Sequence, residues 1–163
     1  MNNQLRKIYD TFVKTYEENR GQFELSDVLD EFYSTWGPEN RKLLGLGCGA
    51  GGPVSRYFTG HNWSVIDVDF SEQMIRLASK HVPEMQRIHA DFSKVNFEPS
   101  QINAIIASYS LFYISVDKHK DLFKKFYKWL SPNGEALFTY ATKEYTGSTT
   151  SDGYKNFMGQ ALY

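Results

Sequence analysis

The sequence predicts an α/β fold in which two N-terminal helices precede a doubly wound, mostly parallel sheet. Two observations lead to this prediction. Beyond residue 41, short apolar runs alternate with segments of helical periodicity, which is typical of parallel strands covered on both faces. The first apolar run ends in residues 47–52, which contain four glycines in six positions. The 163 residues are interpreted as one domain, with a helical cap (1–40), a ligand-binding core (41–140) and a C-terminal segment (141–163).

The N-terminal segment carries two helical patterns. In the first, apolar side chains recur at helical spacing from Leu5 to Tyr16. Ser26 is a favourable N-cap for the second, which Gly37 and Pro38 should terminate. We expect this second helix to bury four side chains: Val28, Leu29, Phe32 and Trp36.

The core should contain five strands separated mostly by helices. Apolar runs predict strands at residues 42–46, 63–68, 85–90, 103–107 and 136–140. Helical patterns predict helices at residues 53–58, 71–81 and 117–130, the last followed by a turn at 131–134. Since ligands of such sheets bind at the carboxyl ends of the strands, the residues that follow each strand are the candidates for function.

Composition narrows the class of partner. The formal net charge is −1 and the basic residues are scattered, which argues against nucleic acid or an anionic membrane as the main partner. The sequence has no apolar run near the ~20 residues that span a bilayer and no signal-peptide pattern at its start. A single cysteine, Cys48, excludes an internal disulfide, so we expect a cytoplasmic location. The four histidines have no metal-ligand spacing, so no metal site is predicted.

The glycine-rich loop is the strongest sign of a ligand. Glycines let the backbone turn sharply and approach a ligand closely. Gly47, Gly49 and Gly52 fit the dinucleotide pattern G-x-G-x-x-G, and Gly45, Gly47 and Ala50 fit G-x-G-x-x-A. An acid after the second strand, Asp67 or Asp69, suits either a nicotinamide cofactor or S-adenosylmethionine. The loop alone leaves both ligands open.

Five motifs in order along the chain carry a resemblance to a known family. Residues 44–51 resemble L-D-x-G-C-G-x-G, and residues 68–74 resemble V-D-x-S-x-x-M. Residues 89–92 resemble a G/A-D loop, residues 107–113 an S-x-S-L-H-H segment, and residues 130–135 an L-x-P-G-G turn. Together they resemble the class I S-adenosylmethionine-dependent methyltransferases, and the aromatic N-terminal helices are similar to those of the branch that acts on small molecules.

The resemblance implies S-adenosylmethionine as cofactor and assigns residues to it. The glycine loop would face its amino acid end, Asp69 would accept its ribose hydroxyls, and Asp91 its adenine amino group, with Phe92 beside it. Phe70 and Met74 would sandwich the adenine. The cofactor-binding residues expected on this basis are Gly47, Cys48, Gly49, Ala50, Gly51, Asp69, Phe70, Met74, Asp91, Phe92 and Ser108.

The expected function is methyl transfer to a small-molecule acceptor. Tyrosines are the candidates to line the acceptor site, since aromatic faces favour a cation: Tyr9, Tyr16, Tyr109 and Tyr113. Phe112 is assigned to core packing, and no residue is identified as a catalytic base. Two alternatives remain: a module that binds the cofactor without catalysis, and a nicotinamide-dependent oxidoreductase.

The sequence departs from the family pattern in two places. Gly45 stands where these methyltransferases usually carry the acid that organises the amino end of the cofactor, while Asp67 is an acid where they often carry glycine. The family sheet has seven strands, whereas five are predicted here, so the fold is expected to be truncated. Residues 157–163 are apolar and uncharged, and we expect them to cover the open sheet edge or to mediate self-association.

Overall fold

The computed structural model describes residues 3–19, 24–37, 39 and 41–140, and the backbone of residues 156–157 and 160–161. Five α-helices are present in these residues: α1 (Asn3–Glu18), α2 (Ser26–Ser34), α3 (Val54–Gly60), α4 (Glu72–His81) and α5 (Val116–Trp129). The main strands are β1 (Lys42–Leu46), β2 (Ser64–Asp69), β3 (Gln86–His89), β4 (Ile102–Ala107) and β5 (Leu130–Phe138). A short pair follows, β6 (Asn156–Phe157) and β7 (Gln160–Ala161).

The five main strands form one sheet in the order β3-β2-β1-β4-β5, and every neighbouring pair is parallel. This arrangement confirms the predicted doubly wound α/β fold. The chain runs outward from β1 through β2 to β3 and then crosses to β4 on the other side of β1. The loops after β1 and β4 therefore diverge, and a crevice opens between them at the carboxyl edge of the sheet.

Each face of the sheet has its own apolar core. Neighbouring residues of a strand point to opposite faces, so Leu44 of β1 joins one core and Leu43 the other. The first core includes Phe126 and Trp129 of α5, and the second includes Leu29 of α2. Helices thus cover both faces, which explains why the central strands β1 and β4 are largely apolar.

The start of α2 differs from the prediction. Leu25, not Ser26, occupies the N-cap position, and Ser26 is the first helical residue. The carboxylate of Glu24 accepts the Ser26 backbone N–H at 2.9 Å and also its hydroxyl, so the glutamate caps the helix. The prediction that Val28 is buried was wrong: its side chain is 47% exposed, because the buried face of α2 is centred on Leu29.

The last strand begins earlier than predicted. β5 starts at Leu130 and ends at Phe138, so the expected turn at residues 131–134 lies within it. The pairing with β4 is irregular there, shifting register between Ile102 and Ala104, and Asn133 has φ +64°. Turn residues are thus absorbed as an irregularity of the strand. The helix predicted at 117–130 is α5, which begins at Val116 and ends at Trp129, one residue earlier at each end. It ends there because the backbone of Leu130 is extended.

The backbone of β6 pairs antiparallel with β7, separately from the main sheet. The other residues of the C-terminal segment, and the side chains on which the expected self-association depends, lie outside the described residues. Within the described part of the chain, no helix is both long and apolar enough to span a bilayer.

Candidate functional site

A cavity of about 560 Å³ lies at the carboxyl edge of the sheet, bordered by the loops after β1, β2 and β4 and by α1. Its volume is within the range of small-molecule and cofactor sites. Most residues expected at the site line this one cavity: Tyr9, Tyr16, Gly47, Cys48, Gly49, Asp69, Phe70, Met74, Phe92, Ser108, Tyr109 and Tyr113.

Three of the expected cofactor residues do not line the cavity. Ala50 is fully buried, and Gly51 packs against Val82, at 3.1 Å from the position a Cβ would take. The carboxylate of Asp91 accepts the backbone N–H of Ser93 at 3.0 Å and its hydroxyl at 2.7 Å. These residues shape the loops around the cavity in this structure, and the adenine contact of Asp91 stays a prediction.

Two loop glycines are required for different reasons. Gly49 has φ +53°, and a Cβ there would lie 3.0 Å from the hydroxyl of Tyr16, so α1 approaches the loop closely. Gly47 has φ +79°, and its Cβ would lie 2.5 Å from the Cβ of Ser110. Ser110 is itself fixed, since its hydroxyl donates to the carbonyl of Leu46 at 2.7 Å. Gly47 therefore serves internal packing, whereas Gly49 keeps the cavity side of the loop free of a side chain.

The glycine loop is held by its own backbone hydrogen bonds. The N–H of Gly47 donates to the carbonyl of Val68 at 2.8 Å, and that of Gly51 to the carbonyl of Cys48 at 3.0 Å. The N–H of Gly49 donates to a carboxylate oxygen of Asp69 at 2.9 Å. Because the N–H groups of Gly47, Gly49 and Gly51 already have acceptors within the protein, the loop is preorganised. A ligand's acceptor atoms must therefore be bound mostly by groups other than these three.

Asp69 links the glycine loop after β1 to the start of α4 by hydrogen bonds. Its Oδ2 accepts from Gly49 and its Oδ1 accepts the backbone N–H of Ser71 at 2.8 Å. Burial raises the pKa of Asp69 to about 6, although backbone hydrogen bonds from Ser71, Gly49 and Phe70 and the charge of His89 oppose that effect. The remaining acceptor capacity of the carboxylate suits a hydroxyl, as expected for a ribose.

Helix α1 is attached to the core by three polar contacts that the sequence did not reveal. The hydroxyl of Tyr9 donates to that of Tyr113 at 2.5 Å. Asp10 accepts from the hydroxyl of Ser71, the residue that caps α4, at 2.6 Å. Near the end of α1, Glu17 contacts the Nε2 atom of His81 at 3.0 Å. The contacts hold α1 over the cavity, where Tyr9 and Tyr16 line it.

Aromatic rings form much of the lining. Tyr9 contacts Phe70 edge to face, with ring centroids 5.7 Å apart, and Tyr113 in the same geometry at 5.8 Å. The assignment of Phe112 to core packing was wrong, because its ring lines the cavity beside Tyr113. Burial raises the pKa of both Tyr9 and Tyr113 above the usual value for tyrosine, so both phenols are neutral near pH 7.

The backbone is strained at the end of β4. Tyr109 has φ +52°, which is unfavourable for a residue with a Cβ, and its side chain is 47% exposed. Non-glycine residues in this conformation concentrate at functional sites. The chain then enters the 3₁₀ turn Leu111–Tyr113, which places two aromatic rings in the lining.

Sequence reasoning missed several lining residues, among them Phe12, Val54, Ser55 and Ile106. Ser55 is the second residue of α3, and its serine identity gave no signal of a role. In the described part of the chain, the lining contains no lysine, arginine or histidine. The cavity is therefore unsuited to holding a strongly anionic group by these residues alone.

The residues present fit S-adenosylmethionine on three observations of the structure. Gly49 has no side chain, so the space between its backbone and the hydroxyl of Tyr16, which a Cβ would fill, stays open for a ligand. Asp69, at the end of β2, has acceptor capacity left for a ribose hydroxyl. Asp67 lines the same cavity and has a buried oxygen without a hydrogen-bond partner among the described residues, which suits the amino group.

Fold and site together define a Rossmann-type protein that binds its ligand between the loops after β1 and β4. The comparisons agree. The family model described as "Methyltransferase domain" matches residues 43–134, more than half of the chain. The chain therefore belongs to this family of S-adenosylmethionine-dependent methyltransferases, as the motifs predicted.

The curated relatives of this chain are named for different methyl acceptors. A phosphoethanolamine N-methyltransferase of Plasmodium falciparum is 25% identical over 96% of this chain and 59% of its own length. A malonyl-[acyl-carrier protein] O-methyltransferase of Halalkalibacterium halodurans is 32% identical over 71% of this chain and 44% of its own length. The chain thus spans about half the length of these curated relatives. The solved structure of a DhpI complex with S-adenosylhomocysteine has a TM-score of 0.71 at 16% identity, covering 96% of this chain and 75% of that one, which shows the shared fold.

Proposed function

We propose that this protein transfers a methyl group from S-adenosylmethionine to a small-molecule acceptor. One observation carries the proposal: the glycine loop, Asp69 and a set of tyrosines from α1 and the β4 loop line a single covered cavity. A cofactor and a small acceptor can meet there, whereas a large acceptor would have to displace α1.

The residues of the chain have separate tasks in this proposal. S-adenosylmethionine, when bound, supplies a methyl group already activated by its sulfonium. Gly49 and Asp69 bind and orient the cofactor, and α1 excludes water from the cavity. The rings of Tyr9, Tyr113 and Phe112 present faces that favour an acceptor with cationic character.

The acceptor class follows from the lining. Without a lysine or arginine among the described lining residues, a phosphorylated or carboxylated acceptor has no counter-charge there. The two neutral phenols of Tyr9 and Tyr113 can orient an amine or hydroxyl by hydrogen bonds. We therefore propose a small amine or hydroxyl compound with an apolar body as the acceptor.

Calorimetry tests the cofactor and separates the alternatives. We expect S-adenosylhomocysteine to bind and NAD not to bind. Binding of NAD alone would favour the oxidoreductase. Labelled S-adenosylmethionine is then offered with a panel of amines, hydroxyl compounds, thiols and carboxylates. Transfer to an amine or hydroxyl compound supports the proposal, and transfer only to a carboxylate contradicts the acceptor class. Cofactor binding without transfer to any compound in the panel would favour the non-catalytic module.

A further inference from the structure

Gly45 and Asp67 form a matched pair across the central strands. They are register partners in the parallel pairing of β1 with β2. A Cβ built on Gly45 would overlap Oδ1 of Asp67 and lie 3.0 Å from its Cγ. The space that a side chain at position 45 would occupy is therefore filled by the carboxylate of its neighbour on β2.

This carboxylate is fully buried and only partly satisfied. Oδ2 of Asp67 accepts a hydrogen bond from the hydroxyl of Ser55. Oδ1 is buried and has no hydrogen-bond partner among the described residues. The thiol of Cys48 donates to the carbonyl of Gly49 at 3.5 Å, and it also lies close enough to the Asp67 carboxylate to lower the pKa of Asp67. A buried carboxylate oxygen without a donor is unfavourable, so such atoms usually have a functional explanation.

The cationic side chain that faces Asp67 across the β2–β3 pairing does not satisfy it. Arg87 is its register partner on β3, and its charge lowers the pKa of Asp67. The Nη1 atom of Arg87, however, donates to the backbone carbonyls of Val82, Pro83 and Met85 at 2.8–3.3 Å. Asp67 and Gly45 both line the cavity. The donor that Oδ1 lacks can thus be supplied by a ligand in the cavity.

We propose that Asp67 binds the ammonium group of the cofactor's amino acid part through Oδ1, so that in this chain the acid for that group is carried by β2 and not by β1. The inference rests on the proposed function. An ammonium has three donors and a positive charge, which complements a buried carboxylate with a free oxygen. Asp69 suits this role less well, because both of its oxygens already accept backbone N–H groups.

A purely structural role for Asp67 makes a different prediction. If Asp67 only connects β2 to α3 through Ser55, its removal weakens the fold and affects all ligands alike. If it binds the ammonium, its removal affects only ligands that carry one. The probes are S-adenosylhomocysteine and its deamino analogue, the same molecule with hydrogen in place of the amino group.

Titration calorimetry with these two probes tests the proposal. We expect Asp67→Asn to weaken S-adenosylhomocysteine tenfold or more and the deamino analogue by less than about twofold. Asp121→Asn, a substitution of the same type at an exposed acid outside the cavity lining, is the control and should retain the wild-type preference for the amino compound. Equal losses for both probes in Asp67→Asn, or no loss for either, would overturn the inference.

An exchange variant provides a second test. Asp67→Ala removes the three atoms that a Cβ at position 45 would meet. We expect the double variant Gly45→Asp/Asp67→Ala to regain at least part of the preference lost in Asp67→Ala, with circular dichroism confirming that it is folded. A folded double variant without any recovery would contradict the proposal. Failure of the wild type to bind S-adenosylhomocysteine would instead refute the proposed function, whereas equal wild-type affinity for both probes would refute only this inference.

Discussion

The backbone N–H of Gly49 donates to Oδ2 of Asp69 at 2.9 Å, and this bond fastens the glycine loop to the end of β2. Two motifs 20 residues apart in sequence are thereby one structural unit. A ligand that contacts Asp69 also contacts the loop that Asp69 holds, so substitutions at either residue should affect the same binding event.

Asp69→Ala should weaken binding of S-adenosylhomocysteine by about 1.5–3 kcal/mol, the range for losing hydrogen bonds to a charged group. The variant also removes the acceptor for Gly49 and Ser71, so a lower melting temperature is expected. Calorimetry measures the affinity. Asp121→Ala, which removes an exposed acid paired with Lys124, is the matched control and should leave binding unchanged. Wild-type affinity in Asp69→Ala would remove this residue from the site.

Gly49→Val should abolish cofactor binding. Valine at φ +53° is strained, and its side chain would be forced against the hydroxyl of Tyr16. Binding is measured with S-adenosylhomocysteine, and folding by circular dichroism. Gly60→Ala is the control, because no atom lies within 4 Å of a Cβ built there. If Gly49→Val is folded and binds normally, the loop does not hold the cofactor.

Tyr9→Phe should destabilise the protein by about 0.5–1.5 kcal/mol, the usual loss for one hydrogen bond. The variant removes the contact to Tyr113 that attaches α1 to the β4 loop. Urea unfolding measures the stability, and proteolysis should cut α1 faster. Tyr127→Phe, whose side chain is 87% exposed, should match the wild type in both measurements. Equal behaviour of the two variants would mean that the tyrosine pair does not hold α1.

The contribution of Asp67 to the stability of the ligand-free protein should fall as pH rises from about 4 to 7. Burial raises the pKa of Asp67 from its usual 3.8 to about 7, with the charge of Asp69 adding to the effect and Ser55, Cys48 and Arg87 opposing it. Between these two pKa values the folded state retains a proton that the unfolded state has lost. This group alone therefore lowers the stability progressively as the pH rises through this window. Urea unfolding at several pH values should show a shallower slope for Asp67→Asn than for the wild type. An identical slope of stability against pH in Asp67→Asn and the wild type would contradict a raised pKa of Asp67 in the folded protein.

The alternation of apolar strands and helices predicted the parallel sheet, because fully buried strands leave a continuous apolar signal. The predicted and observed limits of β1, residues 42–46, coincide. The prediction failed at the start of β5, where residues 131–134 were expected to form a turn and instead belong to the strand. Pairing with β4 outweighed the local turn preference of these residues. Val28 was misplaced because helical periodicity does not specify which neighbour a helix face meets.

The sequence by itself determined the fold class, the family motifs and about half of the residues that line the cavity, since these depend on local periodicity and on residues directly after strands. Only the tertiary structure decided how α1 covers the site, through contacts such as Tyr9 with Tyr113, 104 positions apart. It also decided that Asp67 fills the space beside Gly45, because strand register, which brings these residues side by side, depends on the packing of the whole sheet.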